Sequence, residues 1–394
     1  MAPRADIELD VVMARADDPP LVCTVSTVKD TRRNVEAFVG RNLAAGVDHM
    51  FVFLDAPDPE TQGWLDQHPH TTAIPTGDAY GAGTPPDDLN LRQSTNANLA
   101  NCLLAPFDRV RWLFHIDGDE CLDVDRTLLL GLDDSARSVR LHCLEAVSQR
   151  HREGEVRHFK RVLPDDDLHL LATLGVIEQP TNRSYFNAHI TGKSGFRPSI
   201  DIRVRVHNAE GPDGVAIEGF QAPGLRLLHY ESFSGEEFVR KWAAHLSGPN
   251  RAKFRAPRDQ LRGAVKAILD NDVLSEARKR DLLMQVYQRL VEDDFATLQE
   301  LGYLVSPTPE NHRHLPQSFT REERSLMSAY LERLLDADKG YFNPRAEGIP
   351  PRPLIEDICT RAHSSDPALS RLLAECVAAR HPAGGNGRPL HSGA

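Results

Sequence analysis

The chain is 394 residues long, with 46 Lys and Arg against 57 Asp and Glu and a formal charge of −11. That balance excludes a general nucleic-acid or anionic-membrane binder, whose affinity comes from counterion release at a positive surface. With 40% hydrophobic and 26% charged residues, the chain can bury a core and is not broadly disordered.

Residues 1–20 form a polar lead-in with acids where a signal peptide would carry an apolar block. Leu21–Thr27 (LVCTVST) has the short apolar, β-rich pattern of a buried strand. Asp30 and Thr31 then offer N-cap oxygens, Val35, Phe38, Val39 and Leu43 recur at helical spacing, and Gly46 ends the run. His49–Asp55 is a second buried strand, so strand, helix and strand make a βαβ unit and predict a parallel sheet. Residues 56–90, with six prolines and four glycines, read mostly as loop around a strand candidate at 72–75. A helix is expected from Asn90, with Leu91, Thr95, Leu99, Cys102 and Leu103 on one face. Strands follow at 110–117 and 138–147, separated by a short helix and turn at 128–136.

The stretch 150–225 is polar and punctuated by Gly and Pro, with alternating segments such as 200–208, and 224–230 is strand-like. Residues 235–300 and 319–337 carry Leu, Ala, Arg and Glu at helical spacing, and the Gly-rich tail reads as disordered. The organisation expected is an α/β domain over 21–245 with a Rossmann-like, mostly parallel sheet, a helical region over 246–382 and a tail over 383–394. The amphipathic C-terminal helices suit core packing or homodimerisation, with docking of an acceptor or a membrane surface as the lesser role. No apolar run approaches the ~20 residues of a membrane span. None of the six cysteines (Cys23, Cys102, Cys121, Cys143, Cys359 and Cys376) forms a CxxC pair, the usage of a reduced, cytoplasmic protein.

Open parallel sheets bind ligands outside the carboxyl ends of their strands. At those positions stand Lys29-Asp30, Asp55 and Asp117-Gly118-Asp119-Glu120. Carboxylates gathered on one edge repel unless something cationic joins them, and a divalent metal bridging a substrate phosphate would do so. A bare D-x-D is most often a solvated turn, and Asp123/Asp125 and Asp165–Asp167 are read as cap or loop acids. Asp117 differs because it closes a strongly apolar strand, where an unpaired carboxylate is costly. Glu145, after the 138–144 apolar run, is the first candidate for a general base, with Glu120 and Asp165–Asp167 as competitors. A strand-end Glu that only pairs with an Arg is the bland alternative.

Taken in order, the motifs resemble a family. The chain reads Val28-Lys29-Asp30, then Gly46-Val47-Asp48-His49 leading to Asp55, then Arg92-Gln93 with Asn96, Asn98 and Asn101. Next come Trp112-Leu113-Phe114-His115-Ile116-Asp117-Gly118-Asp119-Glu120-Cys121, Gly192-Lys193-Ser194, Val206-His207-Asn208, His229-Tyr230 and Ser234–Lys241 (SGEEFVRK). This series resembles GT-A-fold glycosyltransferases of the family 2 type, related to the family 92 branch, over residues 21–245. Asp30 stands where the family often has Asn-Glu, and Cys121 where an aromatic is usual.

The resemblance implies a GT-A-like fold and a metal-dependent, inverting transfer of a sugar from a nucleotide-diphosphate donor, a UDP-sugar by preference, to an acceptor hydroxyl. It implies Mn2+ or Mg2+ on Asp119, with Asp117 on the metal through water or on the ribose, and His229 completing the shell. Asp30 and Asp55 would receive base or ribose, Arg92 and Gln93 phosphate or base, and Lys193 the diphosphate. Each has a plainer reading: a packed histidine for His229, a turn residue for Asp55, a loop lysine for Lys193, a first-turn arginine for Arg92. Two other functions compete. One is a metal-dependent nucleotidyl or phosphoryl transferase, although its usual glycine-rich phosphate loop is missing. The other is a non-catalytic nucleotide-sugar-binding or scaffold protein.

Overall fold

The computed structural model describes residues 18–56, 58–76, 80, 88–152, 154–199, 201–211, 213–247, 256–307 and 314–344. The lead-in up to residue 17, the expected tail, Cys359 and Cys376 lie outside the described residues. Strands β1 (Leu21–Val28), β2 (His49–Leu54), β3 (Thr71–Pro75) and β4 (Val110–His115) lie parallel in the order β3-β2-β1-β4. They are joined by α1 (Arg32–Ala44), α2 (Pro59–Gln67) and α3 (Leu89–Leu104). Side chains alternate between the faces of a strand. Accordingly Cys23, Val25, Phe51 and Phe53 pack with Ala97, Leu99 and Leu103 of α3, while Val22, Met50, Val52 and Trp112 pack with Val35, Phe38 and Val39 of α1. Both faces are covered, as a parallel sheet requires.

Beyond β4 the chain builds β5 (Glu120–Val124), α4 (Arg126–Leu130), β6 (Ser138–Arg140), β7 (His142–Ala146), β8 (Phe159–Lys160), α5 (Asp165–Thr173), α6 (Asn182–Tyr185) and β9 (Ser194–Phe196). Then come β10 (Arg203–Val204), β11 (Ala209–Glu210) and β12 (Leu225–His229). β9 and β6 extend the first sheet beside β4, and a second sheet runs β13-β8-β7-β12-β5, with β13 at Leu304–Val305. The mixed α/β architecture with a parallel central unit is therefore as the sequence suggests.

Local details differ from expectation. The run 138–147 is two strands in different sheets, broken at Leu141, whose N–H donates to the Lys193 carbonyl at 2.9 Å. α2 was hidden among prolines: Asp58 caps it and Pro59 occupies the first turn, where a missing N–H costs nothing. β5 turns back directly after the Asp117–Asp119 loop and pairs antiparallel with β12, His229 opposite Glu120.

The C-terminal helices share these cores. α7 (Gly235–Ser247), α8 (Ala256–Leu269) and α9 (Glu276–Leu290) pack around Phe238, Trp242, Val265 and Tyr287. After α10 (Phe295–Glu300), α11 (Arg321–Asp336) lays Leu326, Met327, Tyr330 and Leu334 into the core that α3 and β1 share. Fully buried Asp48 ties the parts together. Its carboxylate accepts from the Val22 N–H at 2.8 Å, Arg126 at 2.6 Å, His314 at 2.7 Å and the Gln317 N–H at 2.9 Å. Among the described residues no helix is long and apolar enough to cross a membrane, and Cys23, Cys102, Cys121 and Cys143 are buried free thiols.

His49 in β2 is buried with Nε2 2.8 Å from the Thr72 hydroxyl, and burial, aided by His70 and Arg324, pushes its pKa from 6.5 down to about 3. A depressed folded-state pKa gives stability that is present above 6.5 and lost as pH falls towards 3. His49→Asn should therefore make stability less steep with pH below 6.5, by up to about 1.4 kcal/mol per pH unit. Urea unfolding at mildly acid and neutral pH checks this; an unaltered slope would mean that the site accepts a charged imidazole.

Candidate active site

The strand order places a switch point between β1 and β4, where the helical connections leave on opposite faces of the sheet. A cleft of about 230 Å³ opens there. Lys29 and Asp30 line it after β1, Asp55 after β2, Arg92 and Gln93 from the start of α3, Gly118 and Asp119 from the loop after β4, and Arg240 and Lys241 from α7. Three strand-end acids, Asp30, Asp55 and Asp119, thus meet on one cleft.

Each acid has a cation from a distant part of the chain. Asp55 and Arg92 form a two-pronged pair, both contacts 2.8 Å, with both side chains nearly buried. Asp30 takes Arg240 at 2.7 and 3.1 Å and also accepts from the Asn34 amide at 3.0 Å. Asp117 accepts from the Gln93 amide at 2.8 Å and pairs with Lys193 at 2.9 Å. Burial pushes the Asp117 carboxyl up, but Lys193 and His115 outweigh it and bring its pKa down to about 2. Lys193 has no exposed surface. Its position depends on Gly192, whose φ is +65° and whose added Cβ would lie 2.1 Å from the Leu141 carbonyl oxygen. A side chain at 192 would collide with the backbone at the break between β6 and β7.

Asp119 faces a different set. Its Oδ2 lies 2.5 Å from Lys241 Nζ and 3.5 Å from His229 Nε2. Lys241 also reaches Glu231 Oε2 at 2.7 Å. Burial works against ionised Asp119, yet Lys241 and His229 hold its carboxyl well below the usual range. The pairing of β12 with β5 brings His229 here, and Glu231 follows through a turn in which Ser232 takes φ +45°. One donor atom each from Asp119, His229 and Glu231 lies within 4.8 Å of the others. Two carboxylate oxygens and an imidazole nitrogen fit a divalent ion such as Mn2+. Asp117, Glu120 and His189 make a second such group, but Lys193 is already 2.9 Å from Asp117 and 3.8 Å from Glu120, so an ammonium serves those acids. Burial raises the pKa of fully enclosed Glu120 to about 7.

One expectation needs correction. Glu145 is fully buried and lines no part of the cleft; its oxygens accept from the Asn187 and Ala188 N–H groups at 2.8 and 2.5 Å and face Lys160 at 2.9 Å. It fastens β7 to a neighbouring loop and stands away from the cleft where an acceptor would lie. Asp117 stands outside the Asp119–His229–Glu231 donor set, its two oxygens engaged by Gln93 and Lys193, an arrangement that leaves its expected role through water or on the ribose untouched. Lys193 itself stands behind Asp117 and outside the cleft lining. Glu231 and the role of Lys241 escaped the sequence reading. Glu231 had a signal, since it lies two residues after His229 with the period of a strand.

No family model matches the chain, and no curated protein matches it. Among solved structures the chain is similar to the mannosyltransferase PcManGT from Pyrobaculum calidifontis in complex with GDP-Man and Mn2+. Identity is 11%, the match covers 92% of this chain and 87% of that one, and the TM-score is 0.24. At that TM-score the likeness decides neither fold nor function.

Lys193→Met would leave fully buried Glu120 and partly buried Asp117 without their cation. The expected loss is ~3–5 kcal/mol of unfolding free energy. Adding Asp117→Asn should recover part of it, and urea titration of the single and double variants measures both effects.

Proposed function

We propose that the chain is a metal-dependent glycosyltransferase of the GT-A type, taking its sugar from a nucleotide-diphosphate donor. The observation that carries this reading is the gathering of Asp30, Asp55 and Asp119 on one switch-point cleft, with His229 and Glu231 beside Asp119. Supporting it is the charge of the lining. Lys29, Arg41, Arg92, Arg240 and Lys241 face Asp30, Asp55, Asp119 and Glu237, a local excess of cations in an acidic chain. Such a lining suits an anionic ligand.

Asp119, His229 and Glu231 would hold the ion, which when bound supplies Lewis-acid stabilisation of the departing diphosphate. Arg92, fixed by Asp55, and Gln93 form the wall that receives the nucleoside end; a uridine donor is the favoured case. Arg41 lies with its guanidinium 4.2 Å from the Tyr230 ring centroid and adds positive charge at the far wall. An inverting transfer needs a base on the acceptor side. Asp119 belongs to the metal set and Asp55 is nearly buried against Arg92, whereas Asp30 and Glu237, although paired with Arg240, keep 26% and 29% of their side chains exposed and are the acids of the cleft best placed for that role.

The test is a thermal-shift panel of UDP-, GDP-, dTDP- and CMP-linked sugars with and without Mn2+. One donor should raise the melting temperature only with the metal, by the equivalent of about 2.7 kcal/mol at a hundredfold excess over Kd. A blank panel would refute the reading. Asp119→Ala should abolish the Mn2+-dependent shift while changing the ligand-free melting temperature by only a few degrees, about 1 kcal/mol for a partly exposed loop acid.

A further inference from the structure

We infer that Lys241 is a tethered competitor of the divalent ion, so that metal enters the Asp119–Glu231 site only as the lysine leaves it. This rests on the metal-assisted reading above and adds a device to it. Lys241 Nζ bridges Asp119 Oδ2 at 2.5 Å and Glu231 Oε2 at 2.7 Å, the same two carboxylates that, with His229, make the metal donor set. An ion bound to those oxygens at ~2.0–2.2 Å would lie within about 5 Å of the ammonium, with both charges drawing on one pair of acids. The two cations repel, and the carboxylates have too little charge to hold both.

The lysine has somewhere to go. It projects from α7, lines the cleft and keeps a quarter of its side chain exposed. A diphosphate in the cleft offers the ammonium new acceptors within reach of its flexible stem. Donor binding and metal binding are then coupled: the donor's phosphates draw the lysine away, and the metal takes its place. By linkage each ligand tightens the other. Arg240, the preceding residue, is held by Asp30 and Glu237, so the release concerns Lys241 and leaves its neighbour paired.

The test titrates Mn2+ alone into the full-length protein, reading free Mn2+ by its EPR signal. Lys241→Met should bind Mn2+ at least tenfold more tightly than wild type, Lys241→Arg should stay near wild type because it keeps the charge, and Lys241→Met with Asp119→Asn should lose the gain. Circular dichroism establishes that each variant is folded, and Lys241→Gln replaces Lys241→Met if the latter is not. Mn2+ affinity in the charge-removing variant no higher than in wild type overturns the inference, as does a gain that survives Asp119→Asn. A responsive donor panel on wild type with an unmoved Mn2+ affinity in Lys241→Met defeats the lysine role alone. A blank panel defeats the glycosyltransferase reading.

Discussion

Charge compensation at the carboxyl edge of the parallel sheet is the constraint on which the rest of the molecule depends. Asp30, Asp55, Asp117 and Asp119 crowd one edge, and each is matched by a cation from a later element: Arg240, Arg92, Lys193 and Lys241. Bringing those acids out of water without partners would cost more than a domain of this kind can offset. α3 supplies Arg92, and the chain after β4 supplies the other three. The Gly192–Lys193 turn and α7 are where the α/β unit and the later segments become one charge-balanced site.

Much of this was legible in the residues. Apolar runs at 21–27, 49–55 and 110–117 mark β1, β2 and β4, because strands buried on both faces need continuous hydrophobicity. The acids that follow them were legible for the same reason: a carboxylate ending such a run has few plain explanations. What escaped was set by partners far away in sequence. The break at Leu141 comes from pairing with two sheets, and nothing within 138–147 announces it. Glu145 looked like a site acid because it ends an apolar run as the others do, yet a buried lysine on β8 and two loop N–H groups claim it. Spacing alone cannot distinguish an acid facing a cleft from one facing a lysine.

The polar content of α3 has a comparable origin. Asn98 and Asn101 stand in the motif series without a role assigned to them, and each is buried and grips a backbone segment through both ends of its amide. Asn98 exchanges hydrogen bonds with Val204 at 2.8 and 2.9 Å, and Asn101 does so with Ser199 at 2.7 and 3.0 Å. A helix side chain thereby takes the part of a strand neighbour for Ser199 and for Val204 of β10, whose short pairing with β11 has little ladder of its own. The same helix carries Arg92 and Gln93 to the cleft, so its buried amides hold it in place where its N-terminal end lines that cleft.

The two cations of α7 occupy consecutive positions, 240 and 241, and successive helix residues point about 100° apart around the axis. One reaches Asp30 beside β1 and the other reaches Asp119 beyond β4. Two anchors at different bearings leave a cylinder one rotational setting, much as two pins fix a dial. Phe238 and Trp242, buried against Val265 and Tyr287, hold the same setting from the core side. One helix therefore sets the bearing of both cations at once, so the core residues that seat α7 also set the spacing of charge across the cleft.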